Sequence, residues 1–350
     1  MNKLFIIGNG FDLAHGLKTK YSDFLLWYLN EKLKQSISGN CPDDGISTLH
    51  TIANFPKDRF ESIDDFLNMK PPYLEKRSIH NFFEEILRNH RDPNWIDIEY
   101  TYYQFLKDYY RTIERQHANL RGFNIGLEAK KLNDCLDNIK KQLNNYLNRI
   151  ESPKVHAKIH SILQKEIIKV QRENMTLKGS VPYQIHLLIF NYTSTIDIYN
   201  NLLPSDITTK NYIHGKLGDD LDHIIFGYGD ETDEYYQKIE NINSNEFLRN
   251  IKSFSYLKTG NYLELSRFIE SRDFEVLIMG HSCGLSDRVL LKSIFERQNC
   301  KCIRIFYHDR GKNSTDFFEK TQEISRHFRA ELKDEMRSKI IPFDKCESLN

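Results

Sequence analysis

The sequence predicts an α/β protein, a doubly wound and mostly parallel sheet interrupted by a large α-helical insertion. Three observations lead there. Short continuous apolar runs, such as Leu4–Ile7 and "EVLIM" (275–279), suit strands covered on both faces. From His186 onward these runs alternate with helix-periodic stretches, the pattern of a parallel sheet with helices outside. Between the first run and that segment, from about Asn40 to Val181, the chain is polar and helix-periodic.

In chain order, Leu4–Ile7 is the first strand and leads straight into Gly8-Asn9-Gly10. A helix is expected from about Thr19 to Leu33, with Leu26 and Trp27 on its apolar face. The segment 39–56 reads as a loop, with "GNCPDDG" as its clearest breaker. Four helical stretches follow: "EKRSIHNFFEEILRNH", "WIDIEYTYYQFLKDYYRTIERQ", "LEAKKLNDCLDNIKKQLNNYLNRIE" and "VHAKIHSILQKEIIKVQRE". Pro153 is expected to start the last of them. The later strands are read at 186–190, 211–215, 223–229, 274–280 and 302–308. The domain reading is therefore a core of 1–39 plus 182–350 around an insertion of 40–181.

Composition excludes several classes. Lysine plus arginine and aspartate plus glutamate number 49 each in 350 residues, so nothing marks a wholesale polyanion binder. No apolar run approaches the ~20 residues of a membrane span, and the first residues lack signal-peptide features. Six scattered cysteines contain no C-x-x-C pair, so reduced thiols and no zinc site are expected. The expectation is a soluble cytoplasmic protein.

Glycines at the carboxyl end of a first strand allow close approach to a phosphate and offer it backbone N–H groups. The spacing is not G-x-G-x-x-G, because Leu13 stands where the third glycine would be. A tight turn without a ligand would use the same residues. The longer stretch "IIGNGFDLAHGLKTKYSDF" resembles the N-terminal hallmark of the AbiH family, bacterial proteins named for abortive infection against phage. It also resembles, more distantly, the opening motif of SIR2-like NAD-binding proteins, with Gly8, Gly10, Gly16 and Leu17 in register. "IFNYTSTIDIYN" (189–200), "YIHGKLG" (212–218) and "MGHSCGLSDR" (279–288) resemble later motifs of these families, in the expected order.

The resemblance implies a Rossmann-like, SIR2-like core that binds NAD. It assigns Asn191 and His214 to catalysis. It assigns Gly8, Asn9, Gly10, Phe11, Asp12 and Gly16, with Gly280, Ser282 and Asp287, to the nucleotide. Each has a plainer reading: Asn191 and Asp287 could cap helices, and His214 could be a structural histidine. Asp12 departs from the SIR2-like motif, which carries serine near this point. His15 could offset it, and Asp197 is a candidate second buried carboxylate. Trp95 and Glu99 share a helix face, where packing is the simpler role.

The activity implied is cleavage of the N-glycosidic bond of NAD to nicotinamide and ADP-ribose, without a metal. The rival is a non-catalytic nucleotide sensor or scaffold in phage defence. A phage-derived trigger and self-association fit either reading. If Gly8 and Gly10 seat the diphosphate, Gly10→Val should abolish nucleotide binding and leave a folded protein.

Overall fold

The computed structural model describes residues 1–51, 59–69, 74–91, 98–115, 124–177, 181–220 and 223–350. The chain forms two compact units. One comprises Met1–Lys18, Glu151–Ile225 and Lys252–Asn350; the other comprises Thr19–Ile150 and Phe226–Ile251.

The first unit is built on five parallel strands: β1 (Asn2–Ile7), β2 (Ile185–Ile189), β3 (Thr208–Tyr212), β4 (Phe274–Met279) and β5 (Cys300–Phe306). Their order across the sheet is β3-β2-β1-β4-β5. Every residue of β1, β2 and β4 is buried, and the alternation of side chains explains the unbroken apolar runs. Leu4, Ile6, Leu188, Val276 and Ile278 pack with helices Asn261–Ser271, Arg288–Phe295 and Phe317–His327. Phe5, Ile7, Leu187, Ile189 and Leu277 pack on the other face with Ile159, Leu163 and Val170 of helix Ala157–Thr176. The direction of winding reverses between β1 and β4, the switch point where such sheets bind ligands beyond their carboxyl ends.

At the amino end of the sheet, register places Lys3 of β1 opposite Glu275 of β4. Lys3 Nζ donates to Glu275 Oε2 at 2.9 Å and to Glu166 Oε2 at 2.6 Å. Arg304 Nε donates to Glu275 Oε1 at 3.0 Å, and Lys169 pairs with Glu166. Burial lowers the Lys3 pKa, but Glu275 and Glu166 outweigh it and hold the ammonium above its usual range.

Several expectations need correction. The third strand ends at Tyr212, so His214 and Gly215 lie in the turn beyond it, where Gly215 has φ +85°. Residues 223–229 form no sheet strand, although Ile224, Ile225 and Phe226 are buried as a strand would be. That burial is what the apolar pattern reported.

In the second unit, helix Tyr21–Ile37 buries Phe24, Leu25, Tyr28, Leu29 and Leu33, leaving Leu26 and Trp27 half-buried. It packs on the strand Ser47–Thr51 and on helix Ile125–Leu147. The segment read as a loop thus contains a strand, which pairs antiparallel with Leu74–Ile79. Residues 75–79, read as helix, belong to that hairpin; the helix begins only at Asn81. Helix Ala157–Thr176 starts at His156, whose ring accepts from the Ile159 N–H, and not at Pro153. Because that helix covers the sheet, it sits with the first unit, while Tyr21–Ile37 and residues 226–251 sit with the helical one. The observed division differs from the expected 1–39 plus 182–350 accordingly.

Candidate functional site

The loops leaving β1, β2, β3 and β4 all lie at the carboxyl edge of the sheet, and two buried polar groups sit on them. The first centres on Asp12, in the short helix Asn9–Ala14 that follows β1. Thr193 Oγ1 donates to Asp12 Oδ2 at 2.6 Å, and Thr195 Oγ1 donates to Thr193 at 3.3 Å. Asp12 is 1 % exposed and Asn191, after β2, is 8 % exposed. Asp12 Oδ1 and both amide atoms of Asn191 are buried without a hydrogen-bond partner among the described residues. Burial pushes the Asp12 carboxyl above its usual range, and Thr193, Thr195 and Asn191 draw it part of the way back.

The second group centres on Asp287. Lys252 Nζ pairs with its Oδ1 at 2.7 Å and His214 Nε2 with the same oxygen at 3.2 Å. His281 Nε2 approaches Oδ2 at 3.7 Å, and Tyr256 Oη lies 3.4 Å from His214 Nε2. The Cys283 N–H donates to His281 Nδ1 at 2.9 Å, so the neutral ring carries its proton on Nε2, toward the carboxylate. Burial pushes His281 down to about 3. Burial, then Lys252, also lowers His214, with Asp287 opposing them. Burial would raise Asp287, but Lys252, His214 and His281 hold it well below the carboxylate range. The Phe190 ring, next to Asn191, packs on both His214 (5.0 Å) and His281 (4.1 Å).

The plainer readings of two residues fail. The 3-10 helix Thr195–Leu202 starts from Ser194, so Asn191 is not its cap. Asp287 stands at the start of Arg288–Phe295 but makes no capping bond.

The glycines behave differently from expectation. The Gly8 N–H donates to Met279 O at 3.2 Å and the Gly10 N–H to Gly280 O at 2.8 Å. Neither offers an unpaired N–H to a phosphate. They serve a close backbone approach: a Cβ on Gly10 would stand 2.7 Å from Gly280 O, and one on Gly8 2.5 Å from His281 Cα. Gly280 has φ +77°, and its Cβ would stand 2.1 Å from Phe11 N. Gly10→Val would therefore disturb the fold itself, contrary to the expectation of a folded, non-binding variant. Gly16, at φ +78°, ends the short helix: its N–H bonds Leu13 O, and Leu17 N–H bonds Asp12 O.

Other candidates stand outside these two buried groups. Phe11 is fully buried in the core beside Tyr199. His15 is held by Phe11 O and Tyr199 Oη, both at 2.7 Å, and does not offset Asp12. Asp197 is partly exposed and paired with Lys210 and Lys216, so it is no buried carboxylate. Asn9 is half-buried and Ser282 exposed. Glu99, in the helical unit, accepts from the Gly227 N–H at 3.1 Å; Trp95 lies outside the described residues. Sequence reasoning missed Thr193, Thr195, Lys252, Tyr256 and His281. Three of these stand inside the recognised stretches "NYTST" and "MGHSC", whereas Lys252 and Tyr256 lie in no motif.

Strands wound in this order, with polar side chains gathered beyond the carboxyl ends of β1, β2 and β4, define a doubly wound, Rossmann-like α/β protein. The family model for bacteriophage abortive infection AbiH matches residues 4–309, and the chain belongs to that family. Membership supports a role in phage abortive infection. Neither the curated proteins nor the solved structures yielded a match. Among the described residues, no helix is long and apolar enough to cross a membrane, and no cluster of His, Cys, Asp or Glu could hold a metal ion.

Proposed function

We propose that this AbiH protein hydrolyses the N-glycosidic bond of NAD during abortive infection. The observation that carries the reading is Asn191, buried with both amide atoms unpartnered beside the equally buried Asp12. Such groups cost about 1–3 kcal/mol each when left unsatisfied, and a polar ligand removes that cost. Asn191 and Asp12 would hold the ribose and position water. His214, neutral because burial lowers its pKa, and bonded to Asp287 through Nε2–H, keeps its lone pair on Nδ1 and would accept a proton.

As the C1′–N bond breaks, its electron pair goes to the pyridinium nitrogen and neutral nicotinamide leaves. The water oxygen bonds to C1′, and its proton passes to His214. Positive charge developing on the ribose favours an ionised Asp12, whose oxygen would stabilise it. The fit to NAD is uneven: the ribose would meet unsatisfied partners, while the N–H groups of Gly8 and Gly10 are already engaged and not open to the diphosphate.

The engaged glycine N–H groups also favour a second reading, a module that senses a nucleotide without turning it over. Incubation of the purified protein with NAD separates the two. Nicotinamide and ADP-ribose should appear, and His214→Ala should lower the rate about 100- to 10,000-fold. Binding with no release of nicotinamide, in purified protein and in phage-infected cells alike, would favour the sensor.

A further inference from the structure

We propose that the turn after β1 reads hydroxyl groups and not phosphate: Asp12 and Asn191 receive the ribose diol of a nucleoside, and Gly8–Gly10 seats no anion. This names the substrate class of the site above and rests on that reading only for the turnover, not for the binding.

Four observations on the turn argue against phosphate. The N–H groups of Gly8, Gly10 and Phe11 are all engaged, by Met279 O, Gly280 O and Gly8 O. An anion there would have to break bonds that the fold already makes. The space is also filled, because the Gly10 backbone lies directly against Gly280. The helix that follows has only six residues, so its dipole is small, and Asp12 already places a carboxyl in its first turn. A phosphate beside that buried carboxyl would meet repulsion strengthened by the low local dielectric.

The same side chains suit a diol. Thr193 pins Asp12 Oδ2 and leaves Oδ1 unpartnered, while Asn191 offers one acceptor and two donors, also unpartnered. A ribose hydroxyl can donate to Oδ1 of Asp12 and accept from the Asn191 amide. Its neighbour can donate to the Asn191 oxygen. Acidic side chains on ribose hydroxyls are the established match in doubly wound folds, there placed after a later strand. Here the acid sits on the first turn itself, where a phosphate-binding turn would exclude it.

The test is calorimetric titration of the full chain with nicotinamide riboside, its 2′-deoxy analogue, NAD and inorganic pyrophosphate. Released nicotinamide is measured in the same samples. Nicotinamide riboside should bind within about tenfold of NAD, and the deoxy analogue at least about tenfold more weakly, the loss of one buried hydrogen bond. Pyrophosphate should not displace NAD. The near-isosteric Asp12→Asn should weaken riboside binding by at least about tenfold without lowering the melting temperature, since the new amide oxygen can still accept from Thr193 Oγ1. Displacement of NAD by pyrophosphate overturns the proposal, as does equal binding of the deoxy analogue or no riboside binding. Riboside binding without nicotinamide release sinks the hydrolytic reading and leaves this one standing. Release with pyrophosphate-sensitive binding does the reverse.

Discussion

The two ends of the parallel sheet bury comparable amounts of polar chemistry and treat it in opposite ways. At the amino end, Lys3, Glu166, Glu275 and Arg304 form a chain of ion pairs in which each charge meets an opposite one. At the carboxyl end, Asp12 and Asn191 are equally buried and keep three atoms unpartnered. Burial therefore does not mark function here. What separates the two groups is whether they have satisfied one another: Lys3, Glu166 and Glu275 have, whereas Asp12 and Asn191 retain hydrogen-bonding capacity for something else. Around Asp12 the chain is held by backbone, through Gly10 against Gly280, and the ion pairs of that end gather on Asp287.

Breaking the comparison starts with that backbone contact. Gly280→Val adds a left-handed penalty of about 1–2 kcal/mol to an overpacking cost of about 1–3 kcal/mol. The melting temperature should fall further than in Lys3→Met, His281→Asn or Asn191→Leu. An unchanged melt would mean the two loops do not need each other. Lys3→Met comes next. Leaving buried carboxylates unpaired costs about 3–5 kcal/mol, and the low end is expected because Lys169 and Arg304 remain. Thermal melts would read it.

Acid sharpens the contrast. His281 is pushed down to about 3 by burial, so the unfolded chain takes up its proton first once pH falls below about 6.5. The stability from that neutral ring is present above about 6.5 and is lost progressively as pH falls toward about 3. Glu166 is buried yet held below its usual range by Lys3 and Lys169, so its contribution fades only below about 4.5. Denaturant melts across pH should thus weaken first through the buried neutral histidines, and His281→Asn should reduce the upper limb without removing the share of His186, which burial pushes down to about 4, or of His214. The smallest expected effect is Asn191→Leu, close in volume and free of unmet polar atoms. Its stability should be equal or up to about 1 kcal/mol higher while nicotinamide release disappears. A drop as large as that of Lys3→Met would make Asn191 a structural residue.

Much of the sheet was legible in the sequence because β1, β2 and β4 are covered on both faces and so are apolar apart from their amino-end residues Asn2, Lys3, His186 and Glu275. Residues 223–229 misled for the same reason, since buried irregular chain carries the same apolar signal as a buried strand. The hairpin strand Leu74–Ile79 escaped because its exposed Glu75 and Lys76 break any strand period, and it runs directly into helix Asn81–Arg88. At the site, motif order pointed to the loops that carry Asp12, Asn191, His214 and Asp287. It could not show that glycine N–H groups were engaged, or that Asp287 faces Lys252, because those partners lie 270 to 271 and 35 positions away, respectively. The pairing is a property of strand order, which no local window contains.

The contact between Gly10 and Gly280 also sets a schedule for synthesis. β1 is the first strand made, yet it is the central one, and its neighbour β4 arrives some 270 residues later. Until residue 280 has left the ribosome, the turn bearing Asp12 has no backbone to rest against and the loop bearing Asp287 does not exist. A chain cut short before that point carries Asn191 and His214 without the frame that holds them. An incomplete copy therefore lacks the frame of the candidate site, whatever else of the chain has folded.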